Sequence, residues 1–491
     1  MILINPLSTK FGIFKRYVPL SVPVGIGSLA GYLVSHKKDI EIVDEHVRGL
    51  TQELLEEITQ KSSKPYIFGI SVLTACVKRS YEIARMLKNK YPDSIIIAGG
   101  IHPTVLTDEI LENDDINFVV RGEAEEILLE LYDTLKNKGD YSKIRGLSFK
   151  KDGHVVHNPV ADLPDLSLLP SFPYNLFDKY SDRYNFGFIA SSRGCPYACI
   201  FCSQRSISGQ KFRYIPNEIV IDEIDQLIHK YQQTHINFVD DNFTANKKRI
   251  MLLCEEMIKR KFYKKSTFDC QTRADAVNDE ILILLKKAGF RLINFGLETA
   301  SERLMVILKK EETVQENIEA IRLAKKHGFG VSGTFILGLP TETREERWQA
   351  YRLAKELDLD YVRFNNATPY PGTHLYEIAK AEDRLFVEKD WSNLNACASL
   401  VHDSLTGSKL PYVPVGTDEK TLRNDIIRAN LFFSLRPKKV FRLLSKRIGP
   451  AGWFYLPPRW YLKPQEWFFL FRLAQKLLKS FIKSFFNPFL K

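Results

Sequence analysis

Three cysteines lie close together near the middle of the chain. Cys195, Cys199 and Cys202 fall within SSRGCPYACIFCSQ, residues 191–204, with the spacing C-x3-C-x2-C. Clustered thiols form disulfides, bind zinc or hold iron–sulfur clusters. The spacing therefore indicates a disulfide framework, a metal site or a chance grouping.

Composition disfavours disulfides. Seven cysteines in 491 residues is a sparse and odd number, unlike a secreted disulfide scaffold. The first residues, MILINPLSTKFG, lack the pattern of a secretion signal, and no run of eighteen apolar residues predicts a spanning helix. We therefore expect a cytoplasmic protein of two or three globular domains.

Zinc is the main alternative for the cysteines. A structural zinc ion takes four ligands, but the next cysteine, Cys254, has no C-x2-C partner. His229 and His235 would complete a Cys3His set, although they lie in unrelated segments. A [4Fe–4S] cluster needs no further protein ligand if one of its irons stays open.

The cysteine pattern, with Phe201 before the last cysteine and Arg193-Gly194 before the first, resembles the radical S-adenosylmethionine superfamily. The resemblance implies that Cys195, Cys199 and Cys202 hold a [4Fe–4S] cluster whose open iron chelates S-adenosylmethionine, and that Phe201 contacts this cofactor. One electron then cleaves the sulfonium to a 5'-deoxyadenosyl radical. It also implies an electron donor such as flavodoxin or ferredoxin.

Short apolar segments alternate with amphipathic helices after the cysteines. Strands are predicted within 234–244, 266–277, 291–301, 330–340 and 360–373, and helices include one after the N-cap Asn278 and one over 343–357. This ladder predicts a parallel sheet closing toward a barrel, a partial (β/α)6 TIM-type unit with its site at the strands' carboxyl ends.

Residues at those carboxyl ends match further motifs of the superfamily. Asp240 and Asp241 resemble the loop that holds the cofactor's amino group, and Arg273 resembles the basic residue near its carboxylate. Glu298 resembles the acid that binds the ribose, and Gly338 lies in the strand end against which the adenine packs. An ordinary turn at the aspartates and a structural Arg273–Glu298 ion pair are the alternatives.

The first 145 residues predict a different unit, an open doubly wound (Rossmann-like) sheet. The running pattern GISVLT…AGGIHPT…VVRGE resembles the cobalamin-binding domain fused to many radical S-adenosylmethionine enzymes. The resemblance implies cobalamin contacts from Ser71, Thr74, Gly99, Gly100, Gly122 and Glu123. His46 lies in DEHVRG, which matches a cobalt-ligating motif by letter but follows the second strand, so we expect no cobalt ligation from it.

These patterns divide the chain into a cobalamin-binding domain (1–145), a linker (146–185), a radical S-adenosylmethionine barrel (186–400) and a helical basic, aromatic region (401–491). From Arg436 onward there are thirteen Lys or Arg and one acid, Glu466, so the tail carries +12 against +11 for the whole chain, and the rest of the chain is about neutral. A basic amphipathic helix with aromatics is typical of membrane-surface contact. Docking on the barrel is the alternative; we expect no nucleic acid partner.

The resemblance implies a cobalamin-dependent enzyme that methylates an unactivated carbon. The tail predicts a hydrophobic substrate, such as an isoprenoid, another lipid or a tetrapyrrole, reached from the inner face of the cell membrane. Ring closure or oxidation, as in the related Mg-protoporphyrin monomethyl ester cyclases, uses the same motifs and stays open. So do methylation of a peptide or other soluble precursor and a non-enzymatic scaffold.

Overall fold

The computed structural model describes residues 1–7, 20–60, 64–388, 391–394, 409–436 and 475. Its strands are β1 Ile2–Asn5, β2 Leu20–Ser21, β3 Glu41–Asp44, β4 Ile67–Ser71, β5 Ile95–Gly99, β6 Phe118–Val120, β7 Leu147–Lys151, β8 His154–His157, β9 Tyr184–Asn185, β10 Phe188–Ile189, β11 Ser192–Arg193, β12 Arg213–Tyr214, β13 His235–Phe238, β14 Thr267–Thr272, β15 Phe290–Glu298, β16 Gly330–Leu337 and β17 Tyr361–Asn366. Its helices are α1 Val24–Ser35, α2 Gln52–Thr59, α3 Val77–Lys90, α4 Ile101–Val105, α5 Thr107–Glu112, α6 Glu125–Lys136, α7 Arg205–Ser208, α8 Asn217–His229, α9 Lys247–Lys259, α10 Asp279–Ala288, α11 Glu302–Ile307, α12 Val314–Lys326, α13 Arg344–Glu356, α14 His374–Ala381 and α15 Glu419–Ser434. Within the described residues, no helix has the length and apolar character to cross a bilayer.

Sheet one forms the N-terminal part and has the order β3-β1-β4-β5-β6-β7-β8. Its first five strands pair in parallel. The chain changes direction of winding between β1 and β4, which is where open α/β sheets bind ligands. This order confirms the predicted doubly wound architecture.

The strands of sheet one are apolar on both faces because helices cover both. In β1, Ile2 and Ile4 pack in the core formed with α2, α3 and α5. Leu3, which points the other way, packs in the core formed with α1 and α6. This two-residue alternation between two cores explains why the strands read as continuous apolar runs.

Sheet one continues beyond residue 145. Residues 147–157, which the sequence analysis placed in the linker, form a hairpin whose first strand, β7, pairs antiparallel with β6. Asp152 and Gly153 both have positive φ, 50° and 79°, as a two-residue hairpin turn requires. The sheet therefore takes in the beginning of the predicted linker, and the Asp-Gly pair was the signal for it.

Sheet two is entirely parallel, with the order β10-β13-β14-β15-β16-β17, and it confirms the predicted partial barrel. Asn278 caps α10 as predicted, because its Oδ1 accepts a hydrogen bond from Ile281 N at 2.9 Å. Helix α15, from the predicted C-terminal region, covers the last strand: Asn430 Nδ2 donates to Phe364 O at 2.8 Å. Nearly all of the basic tail, residues 437–474 and 476–491, lies outside the described residues.

Candidate active site

A cavity of about 480 Å³ lies between the carboxyl edges of the two sheets. Sheet one and the loops after its strands contribute Ser71, Gly99, Gly100, Gly122 and Glu123, and sheet two and its loops contribute Ile189, Ala190, Val239 and Asp241. Five of the six residues predicted to contact cobalamin thus line one cavity. The sixth, Thr74, is buried beside it, with Oγ1 3.3 Å from Nδ1 of His102.

Glycines shape the sheet-one side of the cavity. Gly100 has φ +108°, and a Cβ there would lie 2.9 Å from Val72 O, so no other residue fits without a shift. Gly122 has φ +84°, and its N–H donates to Thr104 Oγ1 at 3.0 Å. The backbone can therefore approach a bulky ligand closely at both turns.

The deep part of the cavity is an apolar slot between sheet one and helices α1 and α6. Its walls are Leu3, Ile26, Leu29, Ile97 and Leu128. Among the described residues that line the cavity there is no histidine. His46 belongs to another part of the same edge, where its Nδ1 lies 3.0 Å from Asp44 Oδ1.

The three clustered cysteines lie on the loop between β11 and α7, which we call the cysteine loop (residues 194–204). All three are free thiols of intermediate exposure, whereas the other described cysteines are buried in the cores of the fold. Burial raises the pKa of each loop thiol, that of Cys199 to about 11. Iron or zinc binding would have to displace these protons.

The cysteine loop was predicted to hold a [4Fe–4S] cluster, with a single zinc ion as the alternative. Among the described residues, no group of three His, Cys, Asp or Glu is arranged around one metal ion. Each cysteine of a [4Fe–4S] cluster binds a different iron, so its thiolates stand further apart than ligands of one ion. His235, needed for the zinc alternative, is engaged elsewhere, with Nε2 3.1 Å from Asp269 Oδ2.

A buried charged group closes the end of β15. Glu298 has φ +59° and its carboxylate turns back over Gly296, where a Cβ would lie 2.6 Å from Oε1. Lys310 Nζ lies 3.5 Å from Glu298 and 3.5 Å from Glu312, and all three side chains are buried. Burial alone would lower the pKa of Lys310, but Glu298, Glu312 and Cys199 raise it above its ordinary value.

Arg273 lies at the end of β14, as predicted, and four of the five N–H groups of its guanidinium donate within the chain. It makes a two-bond pair with the carboxylate of Asp275, at 3.0 and 2.9 Å, and donates to the carbonyls of Lys310 and Glu311 at 2.7 and 3.1 Å. Its face stacks on Tyr197, 3.4 Å from the ring centre. Arg273 thus supports the 310–312 turn, and the ion pair with Glu298, which was the alternative interpretation of Arg273, is made by Lys310 instead. The predicted cofactor contact of Arg273 stays a prediction.

The two aspartates after β13 differ in their surroundings. Asp240 is buried and accepts hydrogen bonds from Ser191 N at 3.3 Å, from Ser191 Oγ at 2.8 Å and from Ser192 Oγ. Asp241 accepts from Gly194 N at 3.1 Å, and its side chain is exposed and lines the cavity. Partial desolvation, with Asp240 and Glu123 nearby, raises the pKa of Asp241 to about 6.

Phe201 and Gly338 occupy supporting positions. Phe201 packs against a small core that includes Leu304 and Leu339. Gly338 has φ +82°, and a Cβ there would lie 2.7 Å from Leu422 of α15. Their predicted contacts with S-adenosylmethionine stay predictions.

The sequence analysis missed several charged residues of the site. Lys310 and Glu312 come from the segment LKKEET, which reads as a solvated charged turn and has no periodicity to mark two of its members as buried. Glu223 of α8, which also lines the cavity, was hidden in an ordinary amphipathic helix. Only the fold brings them to the site.

Comparison with known proteins assigns both halves of this site. Residues 16–132 match the B12 binding domain and residues 189–354 match the radical SAM superfamily. A protein of Pyrococcus horikoshii named an uncharacterized methyltransferase is 34% identical over 432 residues, which cover 87% of this chain and 91% of the relative. The anaerobic magnesium-protoporphyrin IX monomethyl ester cyclase of Rubrivivax gelatinosus is 30% identical over 374 residues, covering 72% and 66%.

A solved structure shares the arrangement of the two units. The radical S-adenosylmethionine methyltransferase TsrM from Kitasatospora setae, with cobalamin and a [4Fe–4S] cluster bound, superposes with a TM-score of 0.72. The match covers 89% of each chain at 18% identity. At this identity the likeness concerns the fold.

Proposed function

Because this chain belongs to the radical S-adenosylmethionine enzymes that carry a B12-binding domain, we propose that it methylates an unactivated carbon of a hydrophobic small molecule. The family's cofactors are a [4Fe–4S] cluster, S-adenosylmethionine and cobalamin. When bound, they supply a 5'-deoxyadenosyl radical for hydrogen abstraction and a methyl group for transfer. The observation that carries the proposal is the single cavity walled by both sheet edges, with the cysteine loop beside it.

The roles that we propose for the residues at the cysteine loop follow from the thiols and hydrogen-bond donors that they leave available. Cys195, Cys199 and Cys202 would hold the cluster. Lys310 has three N–H donors but only two acceptor contacts, both at 3.5 Å, so a carboxylate ligand would improve its bonding. Four of the five N–H groups of Arg273 already donate within the chain, so we propose that Lys310 provides the contact to the cofactor carboxylate, while Glu298 stays the candidate for the ribose.

The cavity suits cobalamin in a form whose lower nitrogen base is displaced. The turns at Gly100 and Gly122 would let the backbone approach a macrocycle closely, and the aliphatic residues that line the cavity would contact the bound group. We propose that His46 does not ligate the cobalt. The described cavity lining contains no histidine that could do so.

A hydrophobic substrate is supported by two observations. The cavity lining beyond the glycines is largely aliphatic and aromatic, with Phe172, Phe188 and Val239 on the sheet-two side. The Rubrivivax relative is named for a tetrapyrrole substrate. We propose that the basic tail, residues 436–491, docks on the anionic inner face of the cell membrane and gives access to such a substrate.

Isotope labelling separates methyl transfer from ring closure, the second candidate. The reconstituted enzyme would be given S-adenosylmethionine with a deuterated methyl group and candidate tetrapyrroles or isoprenoid lipids. Methylation predicts a product that gains one deuterated methyl group, together with 5'-deoxyadenosine. A product that has only lost hydrogen or gained oxygen would instead support the cyclase-like reaction.

Membrane docking has its own test. Full-length protein should co-sediment with anionic vesicles, less so at high salt, and truncation before Arg436 should abolish this while cofactor binding stays intact. Full-length protein that ignores anionic vesicles and methylates a water-soluble peptide would contradict the hydrophobic-substrate proposal.

A further inference from the structure

Two arginines of the barrel's lead-in meet one carboxylate of the cobalamin domain. Arg193 on β11 and Arg213 on β12 are direct partners in an antiparallel pair, so both side chains project from the same face. Arg193 Nη1 donates to Glu123 Oε2 at 2.8 Å. Arg213 donates to both carboxylate oxygens, to Oε2 at 3.2 Å. We call this set of three residues the clamp.

The clamp is desolvated and has a second anchor. The Glu123 side chain is 5% exposed, and although burial opposes ionisation, Arg213 and Arg193 hold the pKa of Glu123 below its ordinary value. Arg193 Nη2 also donates to Glu125 Oε1 at 2.6 Å and to Ser28 Oγ at 2.8 Å. Charge-assisted bonds in such surroundings are strong and direction-specific.

Glu123 bonds to residues on both sides of the cysteine loop, Arg193 before it and Ser208 after it. Arg193 precedes Cys195 by two residues, and the intervening Gly194, with φ +80°, is fixed by its bond to Asp241. At the other end, Ser208 Oγ on α7 donates to Glu123 Oε1 at 3.0 Å. A short, constrained path therefore joins this one carboxylate to the first and last of the three thiols.

The same carboxylate belongs to the cavity wall. Glu123, Arg193 and Ser208 all line the cavity, and Glu123 directly follows the close-approach glycine Gly122. Any ligand that fills the cavity therefore contacts the group that fixes the cysteine loop.

We propose that Glu123 is a positioning residue that couples the cavity to the cysteine loop, so that cobalamin binding rigidifies the cluster site. Glu123 was predicted as a cobalamin contact alone, and the geometry gives it this second role. The inference rests on the proposed assignment of the cluster to the three cysteines and of cobalamin to the cavity.

Iron release from the holoenzyme tests the coupling. Full-length protein with a reconstituted cluster would be mixed with an iron chelator, with and without hydroxocobalamin, and the reduced cluster's electron paramagnetic resonance spectrum recorded. We expect cobalamin to slow iron release from the wild type about tenfold, the factor that corresponds to about 1.4 kcal/mol. Glu123→Gln, compared with the wild type at matched corrinoid occupancy, should release iron at one rate with or without corrinoid. Glu126→Gln, at an exposed acid three residues later on helix α6, should match the wild type.

The inference fails if Glu123→Gln keeps the cobalamin-dependent slowing, or if the wild type retains cobalamin without any slowing. Wild type that retains no corrinoid would instead refute the cobalamin assignment, a separate result. If Glu123→Gln does not fold, Arg213→Gln removes one guanidinium only and is judged by the same criteria, with a partial loss of slowing expected. A variant that was merely destabilised would release iron faster but keep the response to cobalamin.

Discussion

The two sheet edges that meet at the cavity are built from opposite kinds of residue. The edge of sheet one presents glycines and aliphatic side chains around open space, with Gly100 and Gly122 at its turns. The edge of sheet two presents buried charges that already bond to one another, as Lys310 does with Glu298. The edge of sheet one leaves room for a bulky ligand, and the edge of sheet two presents charges that suit a small, charged one.

The difference shows how each edge can recognise its ligand. The backbone can come close only where side chains are missing, so sheet one selects by shape. Charged groups held away from water select by electrostatic fit, so sheet two selects by charge. The clamp is the exception. Its Glu123 is a charged group on the edge of sheet one, and it bonds to Arg193 and Arg213 of the barrel's lead-in.

The largest expected effect comes from removing one thiol. Cys199→Ala should abolish cluster assembly, and S-adenosylmethionine cleavage should fall to background, because two thiolates cannot hold the cluster. The matched control is Cys254→Ala, at a buried position in the barrel core, which should keep about four irons. Iron analysis and chromatography of 5'-deoxyadenosine measure both. Full iron content in Cys199→Ala would contradict the assignment of the cluster to Cys195, Cys199 and Cys202.

The next effect concerns the shape-selecting edge. Gly100→Ala should lower the free energy of unfolding by about 2–4 kcal/mol, because its Cβ meets Val72 O and the left-handed backbone disfavours alanine. Corrinoid retention should fall as the turn shifts, whereas cluster content should not. Gly25→Ala, where nothing lies within 4 Å of the new Cβ, is the control for urea unfolding. Equal unfolding curves for both variants would contradict the close-approach role of Gly100.

The variant Lys310→Met tests whether Lys310 pairs with the carboxylate of S-adenosylmethionine. Loss of one charge-assisted bond, about 1.5–3 kcal/mol, should weaken S-adenosylmethionine binding about 10- to 100-fold. Decarboxylated S-adenosylmethionine should bind wild type and variant alike, because it lacks the carboxylate that Lys310 would pair. Lys309→Met, at the exposed neighbour, is the calorimetric control. If Lys310→Met binds normally, Arg273 must exchange its partners and take the carboxylate.

The smallest effect is a pH dependence at the cavity's remote wall. Burial raises the pKa of Glu223 to about 7, and its Oε1 accepts a hydrogen bond from Phe172 N at 2.7 Å. The folded apoprotein thus keeps a proton that the unfolded chain loses, so wild-type stability should fall as pH rises from about 4.5 to 7.

Glu223→Gln removes that titration and should gain about 1–3 kcal/mol relative to wild type between pH 5 and pH 8. Urea unfolding at a series of pH values measures the difference. Asp222→Asn, at an exposed position on the same helix, should show no such trend. A difference between Glu223→Gln and wild type that stays constant with pH would show that Glu223 titrates normally.

The sequence was sufficient for the parts of the site that local patterns encode. Strand ends follow from apolar runs, so Arg273 and Glu298 could be placed at carboxyl ends, and the glycines at sheet one could be named from their positions after strands. What the sequence could not show is which charges face each other. Arg193 and Glu123 are 70 residues apart, and only the folded chain makes them partners.

The pairing of charged residues also explains where the structure differs from what the sequence predicts. Arg273 pairs with Asp275, two residues later, so a carboxylate within the chain already occupies part of its guanidinium, and its predicted contact with a ligand carboxylate stays a prediction. The buried ammonium of Lys310 then takes the position near Glu298, and nothing in LKKEET distinguishes it from its exposed neighbour Lys309. Burial, which depends on the whole fold, decides between the two lysines.

The most direct test of the central claim is joint retention of both metal cofactors by one chain. Full-length protein, reconstituted anaerobically with iron, sulfide and hydroxocobalamin and then desalted, should hold about four irons and one corrinoid. Its absorption spectrum should be that of a cobalamin whose cobalt has no lower nitrogen ligand, and His46→Ala should have the same spectrum. Reduction should cleave S-adenosylmethionine to 5'-deoxyadenosine. Protein that holds the cluster and cleaves S-adenosylmethionine but retains no corrinoid would contradict the claim that the cavity between the sheets is a cobalamin site.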